Sequence, residues 1–335
     1  MSTRAGRRRR PSAARSTRST RRGSPTAPDP CGGAAPPSSW IATERGEHTM
    51  SAPQESRLPV ALCQMSSSDD PAENRESAEA LIREAASGGA RFVLTPEVTN
   101  MVSFDRARQT RLLRPEAEDE TLACLSAVAA ELEIWLLLGS LALKAEDGDG
   151  RFVNRSLLIG PDGAVRARYD KIHMFDVDIG EGESYCESDG YRPGERAVVA
   201  PTPWGGVGLT VCYDVRFAAL HRALAEAGAA ILTVPAAFTV PTGRAHWEVL
   251  LRARAIETGC FVLAPAQVGE NRAAPGERPR STWGHSLVIA PWGEVLADGG
   301  GGAPGVVRAD LDLSAVVEAR RRVPALRNAR PFDGP

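Results

Sequence analysis

Three residues whose side chains can carry out nucleophilic hydrolysis stand at separate points of the chain: Glu97, Lys171 and Cys212. A thiol can attack an acyl carbon, a carboxylate can accept the thiol proton, and an ammonium can stabilise the oxygen anion that forms. Each residue follows a short apolar or amphipathic segment of the kind that forms a strand. They would form one site if the fold brought these strand ends together.

Cys212 lies where a strand is predicted to lead into a helix. The apolar segment Gly206–Val211 predicts the strand, and the helix is predicted at about 216–227. A thiol at such a turn projects from the sheet and lies near unpaired backbone N–H groups, which stabilise a thiolate and a developing oxyanion. The same pattern also fits a cysteine that only ends a buried strand.

Lys171 is unusual for its residue type. Lys and Arg together number 40, and only Lys144 and Lys171 are lysines. Lys144 precedes an acidic stretch typical of an exposed loop, whereas Lys171 begins a long polar connection, Lys171–Gly194. A compact ammonium can point at a single oxyanion, for which a planar guanidinium is too bulky. An ordinary surface lysine is the alternative that composition leaves open.

Glu97 closes the apolar segment Phe92-Val93-Leu94-Thr95-Pro96. Ligands commonly bind at the carboxyl ends of strands in α/β sheets, where partial burial tunes the pKa of a carboxyl group. Glu97 is therefore a candidate general base for the Cys212 thiol. A solvated charge at the end of a strand would give the same pattern.

From Leu58 onwards, short apolar runs alternate with amphipathic segments. The predicted strands of the first half lie at 58–65, 91–95, 134–141, 151–159 and 164–169. The predicted helices of the chain lie at 72–88, 118–132, 216–227, 245–258 and 313–321. Strand–helix–strand units in both halves indicate an α/β fold in which helices cover a largely buried sheet.

Composition restricts the class of protein. The charged fraction is 24% and no stretch approaches 18 consecutive apolar residues, so we expect a globular protein that does not span a membrane. The six cysteines form no CxxC pair or Cys/His cluster, so we expect neither a metal nor an organic cofactor. The chain has no apolar leader segment, which favours the reducing cytoplasm.

Residues 1–56 have a composition of their own. The first 49 hold ten Arg against Asp29, Glu44 and Glu47 and show no apolar periodicity. Such an Arg-, Ser- and Pro-rich tail is predicted to be disordered. A transit peptide, a nucleic-acid contact and a true start at Met50 are the alternatives. The remaining domain, 57–331, is acidic, which argues against a nucleic-acid partner.

Several segments in order resemble the carbon–nitrogen hydrolase (nitrilase) superfamily, whose Glu–Lys–Cys triad has this chain order. The resemblance extends from about Pro59 to Pro331 and rests on Leu94-Thr95-Pro96-Glu97, Tyr169-Asp170-Lys171-Ile172-His173-Met174-Phe175-Asp176, Cys212-Tyr213-Asp214-Val215-Arg216-Phe217, Ala245–Thr258, Trp283-Gly284-His285-Ser286 and Pro291-Trp292-Gly293. It implies a single-domain α-β-β-α sandwich, assembled as a homodimer or higher homo-oligomer.

The resemblance also implies a second glutamate in the loop after the lysine. Glu187 is the best match, with Glu183 and Glu181 as alternatives. Its implied role is to hold the lysine and the substrate amide in register.

The residues after Cys212 indicate the branch of the superfamily. True nitrilases usually have Trp-Glu there, whereas Tyr213-Asp214 resembles the Nit-type amidases, which include ω-amidases of 2-oxo acids and amidases of deaminated glutathione. Both kinds of substrate carry a carboxylate. Arg216 is predicted to bind it, and the alternative is an arginine on the helix surface that pairs with Glu226 or a neighbour.

Three further residues are predicted to contact the substrate. Tyr213 would supply an oxyanion-hole N–H, and His173 and Phe238 would line the pocket. The predicted partner is therefore a small amide, bound without a metal.

These observations predict hydrolysis of a linear amide bond in a small carboxylate-bearing substrate, through a Cys212 thioester and with release of ammonia. The same triad would serve an N-carbamoyl amide hydrolase or a nitrilase, and only the substrate separates these. A catalytically silent binding or scaffold protein on this fold is the alternative from another class. Retention of Lys171 beside the other three residues argues against it, since a scaffold does not need that lysine.

Overall fold

The computed structural model describes residues 56–146, 149–180, 184–273 and 279–334. The strands in this part of the chain are β1 (Arg57–Gln64), β2 (Phe92–Leu94), β3 (Trp135–Lys144), β4 (Phe152–Ile159), β5 (Val165–Asp170), β6 (Asp176–Asp178), β7 (Ser184–Cys186), β8 (Val198–Thr202), β9 (Gly205–Leu209), β10 (Ala229–Thr233), β11 (Phe261–Ala264), β12 (Val268–Asn271), β13 (Arg280–Trp283), β14 (Leu287–Ile289), β15 (Val295–Asp298) and β16 (Gly305–Asp312). The α-helices are α1 (Pro71–Ser87), α2 (Arg106–Leu112), α3 (Glu120–Glu131), α4 (Ala218–Glu226), α5 (Val240–Thr258) and α6 (Ser314–Arg322). Apart from Ser56, the predicted tail lies outside the described residues.

Twelve of these strands form two six-stranded sheets. The first sheet has the order β16-β1-β2-β3-β4-β5 and the second the order β15-β14-β11-β10-β9-β8. The central strands are parallel in each sheet, β1-β2-β3 in the first and β9-β10-β11 in the second, and antiparallel strands flank them. The carboxyl ends of such parallel strands lie along one edge of each sheet, where ligands commonly bind.

The main hydrophobic core lies between the two sheets. Leu58, Val60 and Leu62 of β1 face this core, whereas the intervening Ala61 and Cys63 face a second core beneath α1 and α3. Helices α4 and α5 pack on the second sheet. Because both faces of each sheet are covered, the strands read as nearly continuous apolar runs. The layers form the predicted α-β-β-α sandwich, so the fold class is confirmed.

Some elements of the second half differ from the predictions. The connection Lys171–Gly194 contains the hairpin of β6 and β7 and a 3-10 turn, Glu187–Asp189. Helix α5 begins at Val240 rather than at 245. Its first turn contains Pro241, and the N–H that proline lacks would have no acceptor within the helix at that position. Helix α2 and the hairpin of β12 and β13 were not predicted. None of the helices in the described part of the chain is both long and apolar enough to cross a bilayer.

Candidate active site

The fold places Glu97, Lys171 and Cys212 just beyond the carboxyl ends of β2, β5 and β9. Strands β2 and β5 belong to the first sheet and β9 to the second, so the site draws on both sheets. All three side chains are buried and line one cavity. The structure therefore brings together the three residues that the sequence singled out.

Cys212 adopts a left-handed backbone conformation, with φ of 50°, which is uncommon for a residue with a side chain. Its N–H donates to the Pro235 carbonyl at 2.8 Å, and the Val211 N–H donates to the Asp214 carboxylate at 2.9 Å. Val98, directly after Glu97, has a φ of 46°. Backbone strain of this kind persists where surrounding contacts enforce it, and here it occurs beside two of the three candidate residues.

Lys171 lies between two carboxylates. Its Nζ is 2.9 Å from Glu97 Oε1 and 2.8 Å from Glu187 Oε2, and only 2% of the side chain is exposed. Burial lowers the pKa of the ammonium, but the charges of Glu187 and Glu97 outweigh it and raise that pKa well above its ordinary value. Lys171 is therefore a permanent positive charge in the site.

Glu97 and Cys212 each shift the pKa of the other. Burial raises the pKa of Glu97, but the Lys171 ammonium and a hydrogen bond from the Cys212 thiol bring that pKa below its ordinary value. Burial and the Glu97 charge raise the pKa of Cys212 well above its ordinary value, although Lys171 lowers it. A resting thiolate would place a third buried anion directly beside the Glu97 carboxylate, which is unfavourable. The resting site thus holds a thiol beside a carboxylate.

Glu187 occupies the place that the resemblance implied for the second glutamate. Its carboxylate accepts from Lys171 Nζ at 2.8 and 3.0 Å and from the Phe175 N–H at 2.7 Å. These contacts fix the position of the ammonium from the loop that follows it. The alternatives Glu181 and Glu183 lie outside the described residues.

Asn154, in the middle of β4, is a site residue that the sequence analysis missed. Its Nδ2 donates to Glu97 Oε1 at 3.0 Å and to Glu187 Oε1 at 3.3 Å, so one amide joins both carboxylates. Its Oδ1 is buried without a partner among the described residues. Asn154 belongs to a polar run within the strand, Asn154-Arg155-Ser156, so the sequence does not single it out. The Ala237 N–H, which donates to Glu97 Oε2 at 2.9 Å, belongs to the backbone, so the residue type gives no signal there either.

The cavity has a volume of about 790 Å³, and Tyr213 and Phe238 line it beside Cys212. Tyr213 is the second residue of a short 3-10 helix, Cys212–Arg216, where N–H groups have no acceptor within the helix. Sites of roughly 300–1,000 Å³ are usual for small-molecule ligands. The described residues include no group of His, Cys, Asp or Glu able to hold a metal ion, and an ammonium lies between the carboxylates.

The chain's relationship to known proteins agrees with this geometry. The model of the carbon–nitrogen hydrolase family matches residues 59–321. This chain belongs to that family. It is similar to deaminated glutathione amidases from Yersinia enterocolitica (40% identity, covering 81% of this chain and 92% of that protein) and Homo sapiens (41%, covering 81% and 82%). It is also similar to the human omega-amidase NIT2 (37%, covering 81% and 94%). The carbon–nitrogen hydrolase described here is accordingly an amidase.

Solved structures share its fold. The Caenorhabditis elegans NitFhit protein matches with a TM-score of 0.75 and 36% identity, over 82% of this chain and 65% of that longer chain. An amidase variant from Nesterenkonia sp. AN1 matches with a TM-score of 0.65 and 26% identity, over 81% of this chain and 97% of that chain. In that structure the acetamide moiety of fluoroacetamide is covalently added at the active-site cysteine.

His173 and Arg216 of this carbon–nitrogen hydrolase do not lie in the cavity lining, although both were predicted to contact the substrate. The His173 ring stacks on Phe217, with centroids 3.5 Å apart. The Arg216 guanidinium lies over the Tyr213 and Phe238 rings, 5.7 and 5.5 Å from their centroids. These ring contacts hold the His173 and Arg216 side chains outside the cavity lining. The substrate-binding roles of both residues stay predictions.

The alternative that Arg216 pairs with Glu226 does not occur. Glu226 forms an ion pair with Arg222, one helical turn away, at 2.7 Å. The Arg216 guanidinium instead lies 3.4 Å from His246 Nδ1.

Asp214 of the hydrolase connects the cysteine segment to the lysine segment. Its Oδ2 accepts from the Tyr169 hydroxyl at 2.6 Å and from the Val211 N–H at 2.9 Å. Its Oδ1 accepts from the His173 N–H at 3.1 Å and lies 2.7 Å from His173 Nδ1. The side chain is fully buried, and its partners flank Cys212 and Lys171. Asp214 is thus a positioning residue that sets the two segments relative to each other.

The Asp214→Asn variant is expected to unfold with a free energy lower by about 2 kcal/mol, because an amide nitrogen would replace one acceptor oxygen among buried donors. Its kcat should fall while the fold is retained. Asp298→Asn is the matched control, since Asp298 pairs with His285 at 3.0 Å and is 43% exposed, so a change below about 1 kcal/mol is expected. Urea unfolding measures both, and equal stability losses would contradict the positioning role.

Proposed function

We propose that this amidase cleaves the amide bond of a small carboxylate-bearing substrate through a thioester on Cys212. The observation that carries the proposal is the placement of Cys212 in one cavity with Lys171 and the two carboxylates that hold it. A nucleophile, a base and a cation are then present without a metal.

The first half of the reaction forms the thioester. Glu97 accepts the Cys212 proton as the sulfur attacks the amide carbonyl carbon. The oxygen of the tetrahedral intermediate becomes an anion, which the Lys171 ammonium and the Tyr213 N–H stabilise. Glu97 then gives the proton to the departing nitrogen, and the carbon–nitrogen bond breaks.

The second half of the reaction frees the enzyme. Water takes the place of the departed amine, Glu97 accepts a water proton, and the hydroxide attacks the thioester carbon. Collapse of the second tetrahedral intermediate releases the carboxylic acid and returns the proton to the Cys212 sulfur. Glu187 and Asn154 act throughout by fixing Lys171 and Glu97.

Deaminated glutathione is the substrate that we favour. Two supporting relatives carry that name at 40 and 41% identity, and the cavity of about 790 Å³ is large for a simple primary amide. The departing amine would then be cysteinylglycine, not the ammonia expected from the sequence. An ω-amide of a 2-oxo acid is the second candidate, supported by the 37% identity to omega-amidase NIT2, and ammonia would depart from it.

The substrate test compares four compounds at equal concentration. Deaminated glutathione and 2-oxoglutaramate are followed by the 2-oxoglutarate that they release, and N-carbamoyl-β-alanine and a simple nitrile by ammonia. We expect the highest kcat/KM for deaminated glutathione, by at least about tenfold over the others, because it is the largest of the four and can make the most contacts in the cavity. Cys212→Ala protein is the blank. Turnover confined to the carbamoyl compound or the nitrile would overturn the proposal.

We also propose that the enzyme forms a homodimer or higher homo-oligomer. Val249 and Ile256 on the outer face of α5 are 68 and 54% exposed, and Trp292 and Leu296 are 50 and 45% exposed. The Arg252 side chain donates to the Gly293 carbonyl, which places this face beside the Trp292 segment. Contiguous exposed apolar side chains are typical of protein interfaces.

We also propose a cytoplasmic location, because a thiol nucleophile must stay reduced.

A further inference from the structure

Arg280, at the start of β13, lines the cavity that holds Cys212. Its guanidinium lies 5.8 Å from the ring centroid of Phe104 and 5.9 Å from that of Tyr185. Both rings also line the cavity. Arg280 thus places a cation between two aromatic rings inside the cavity. From the sequence, Arg216 was expected to supply that cation.

The hydrogen bonds of Arg280 are incomplete. Nη2 donates to the Ala237 carbonyl at 2.5 Å, but Nε is buried and has no partner. No carboxylate within the described ranges forms an ion pair with the guanidinium. The buried Nε is out of a ligand's reach, whereas Nη1 is not buried and has no acceptor among the described residues, so Nη1 is the donor left open to a ligand in the cavity.

Arg280 lies close to the reacting groups. Ala237 donates its N–H to Glu97 Oε2 at 2.9 Å and accepts from Arg280 through its carbonyl, so a single residue separates the two side chains. Cys212 and Ala237 line the same cavity. An amide carbonyl at Cys212 would therefore have the guanidinium within the reach of a short carbon chain.

Arg106 also lines the cavity but has different neighbours. Its guanidinium lies 5.5 Å from the Phe152 ring centroid and 5.2 Å from that of Tyr191, and Nη1 donates to Gln109 Oε1 at 3.0 Å. Arg106 Nη1 is thus paired with a side chain, whereas Arg280 Nη1 has no acceptor among the described residues.

We propose that Arg280 binds the carboxylate of the substrate and so selects amides with a carboxylate a few carbons from the reacting carbonyl. The inference rests on the proposed amidase function. A guanidinium presents two parallel N–H groups that match a carboxylate, and the Phe104 and Tyr185 rings limit access of water to the pair.

The kinetic test uses two amides that differ in one group, glutaramate and the neutral pentanamide. In Arg280→Gln we expect kcat/KM for glutaramate to fall about 100-fold, while kcat/KM for pentanamide changes by less than about threefold. Arg280→Lys should recover part of the lost kcat/KM for glutaramate, because the positive charge remains although the paired N–H donors of the guanidinium are gone. In Arg216→Gln the ratio of the two substrates should stay as in the wild type.

A binding test removes the dependence on turnover. In Cys212→Ala protein, glutarate titrated calorimetrically should bind, and adding Arg280→Gln should weaken that binding about 100-fold. Loss of glutarate binding on Arg216→Gln instead, or an equal loss for both amides in Arg280→Gln, would overturn the assignment of Arg280. A wild-type enzyme that hydrolyses neither amide would count against the proposed function, whereas glutarate binding would still report on Arg280 alone.

Discussion

Replacement of Cys212 by alanine is expected to reduce kcat/KM for the best amide substrate by at least about 10⁴-fold, with the fold intact. Without the thiol no thioester forms, and only a direct attack by water, assisted by the Lys171 ammonium, remains. The side chain is small and its neighbours are set by backbone contacts, so the unfolding free energy should change little. Steady-state kinetics and circular dichroism check the two parts of this expectation.

Cys63→Ala and Cys260→Ala are the matched controls for that loss. Both thiols are fully buried, and burial raises the pKa of Cys63 to about 12 and also raises the pKa of Cys260. Neither touches the cavity, so their kcat/KM should stay within about threefold of the wild type. Residual activity of Cys212→Ala at the level of these controls would contradict the assigned nucleophile.

The Lys171→Ala variant is expected to lose about 3–5 kcal/mol of unfolding free energy, because Glu97 and Glu187 would be left buried without their cation. At 2% side-chain exposure, little water reaches the two carboxylates to replace the ammonium. The oxyanion would lose its charged donor as well, so kcat should fall by at least about 10²-fold. Urea unfolding followed by fluorescence gives the free energy, provided that the transition is two-state.

Lys144→Ala controls for the loss of a lysine, because Lys144 is the one lysine of the chain besides Lys171. Lys144 is only half-buried, at the end of β3. The substitution should cost less than about 1 kcal/mol. Adding Glu187→Gln to Lys171→Ala should restore part of the lost stability, because one of the opposed charges is removed. A Lys171→Ala protein as stable as Lys144→Ala would show that the ammonium does not hold the carboxylates together.

Much of the fold could be predicted because both sheets are covered on both faces. Buried strands such as β3 read as apolar runs, and the helices between them show apolar residues at helical spacing. Helix α2 and the β12–β13 hairpin were missed, since short elements such as Arg106–Leu112 carry little periodicity. The position of β6 and β7 within a polar connection was hidden for the same reason.

The candidate site could be predicted in part. Cys212 and Glu97 follow apolar strands, and Lys171 differs in type from nearly every other basic residue. The resemblance to a known family added Glu187 and the order of the set. The geometry that joins these residues was not visible in the sequence.

Residues that act through tertiary contacts escaped prediction. Arg280 reaches the cavity from a hairpin more than 60 residues beyond Cys212, whereas Arg216 attracted the prediction by its proximity in sequence. The Asp214 carboxylate serves donors on two separate segments, which only the folded chain brings together. Sequence spacing cannot show such contacts when they depend on long-range packing.

Labelling with fluoroacetamide tests the central claim most directly, because a variant of a related amidase acquires the acetamide moiety of this reagent at its active-site cysteine. Wild-type protein is incubated with the reagent, with and without substrate, and the modified residue is located by peptide mass spectrometry. We predict one acetamide group per chain, on Cys212, slowed by substrate and absent from Cys212→Ala. Modification of Cys63, Cys124 or Cys260 with Cys212 untouched, accompanied by loss of activity, would contradict the account.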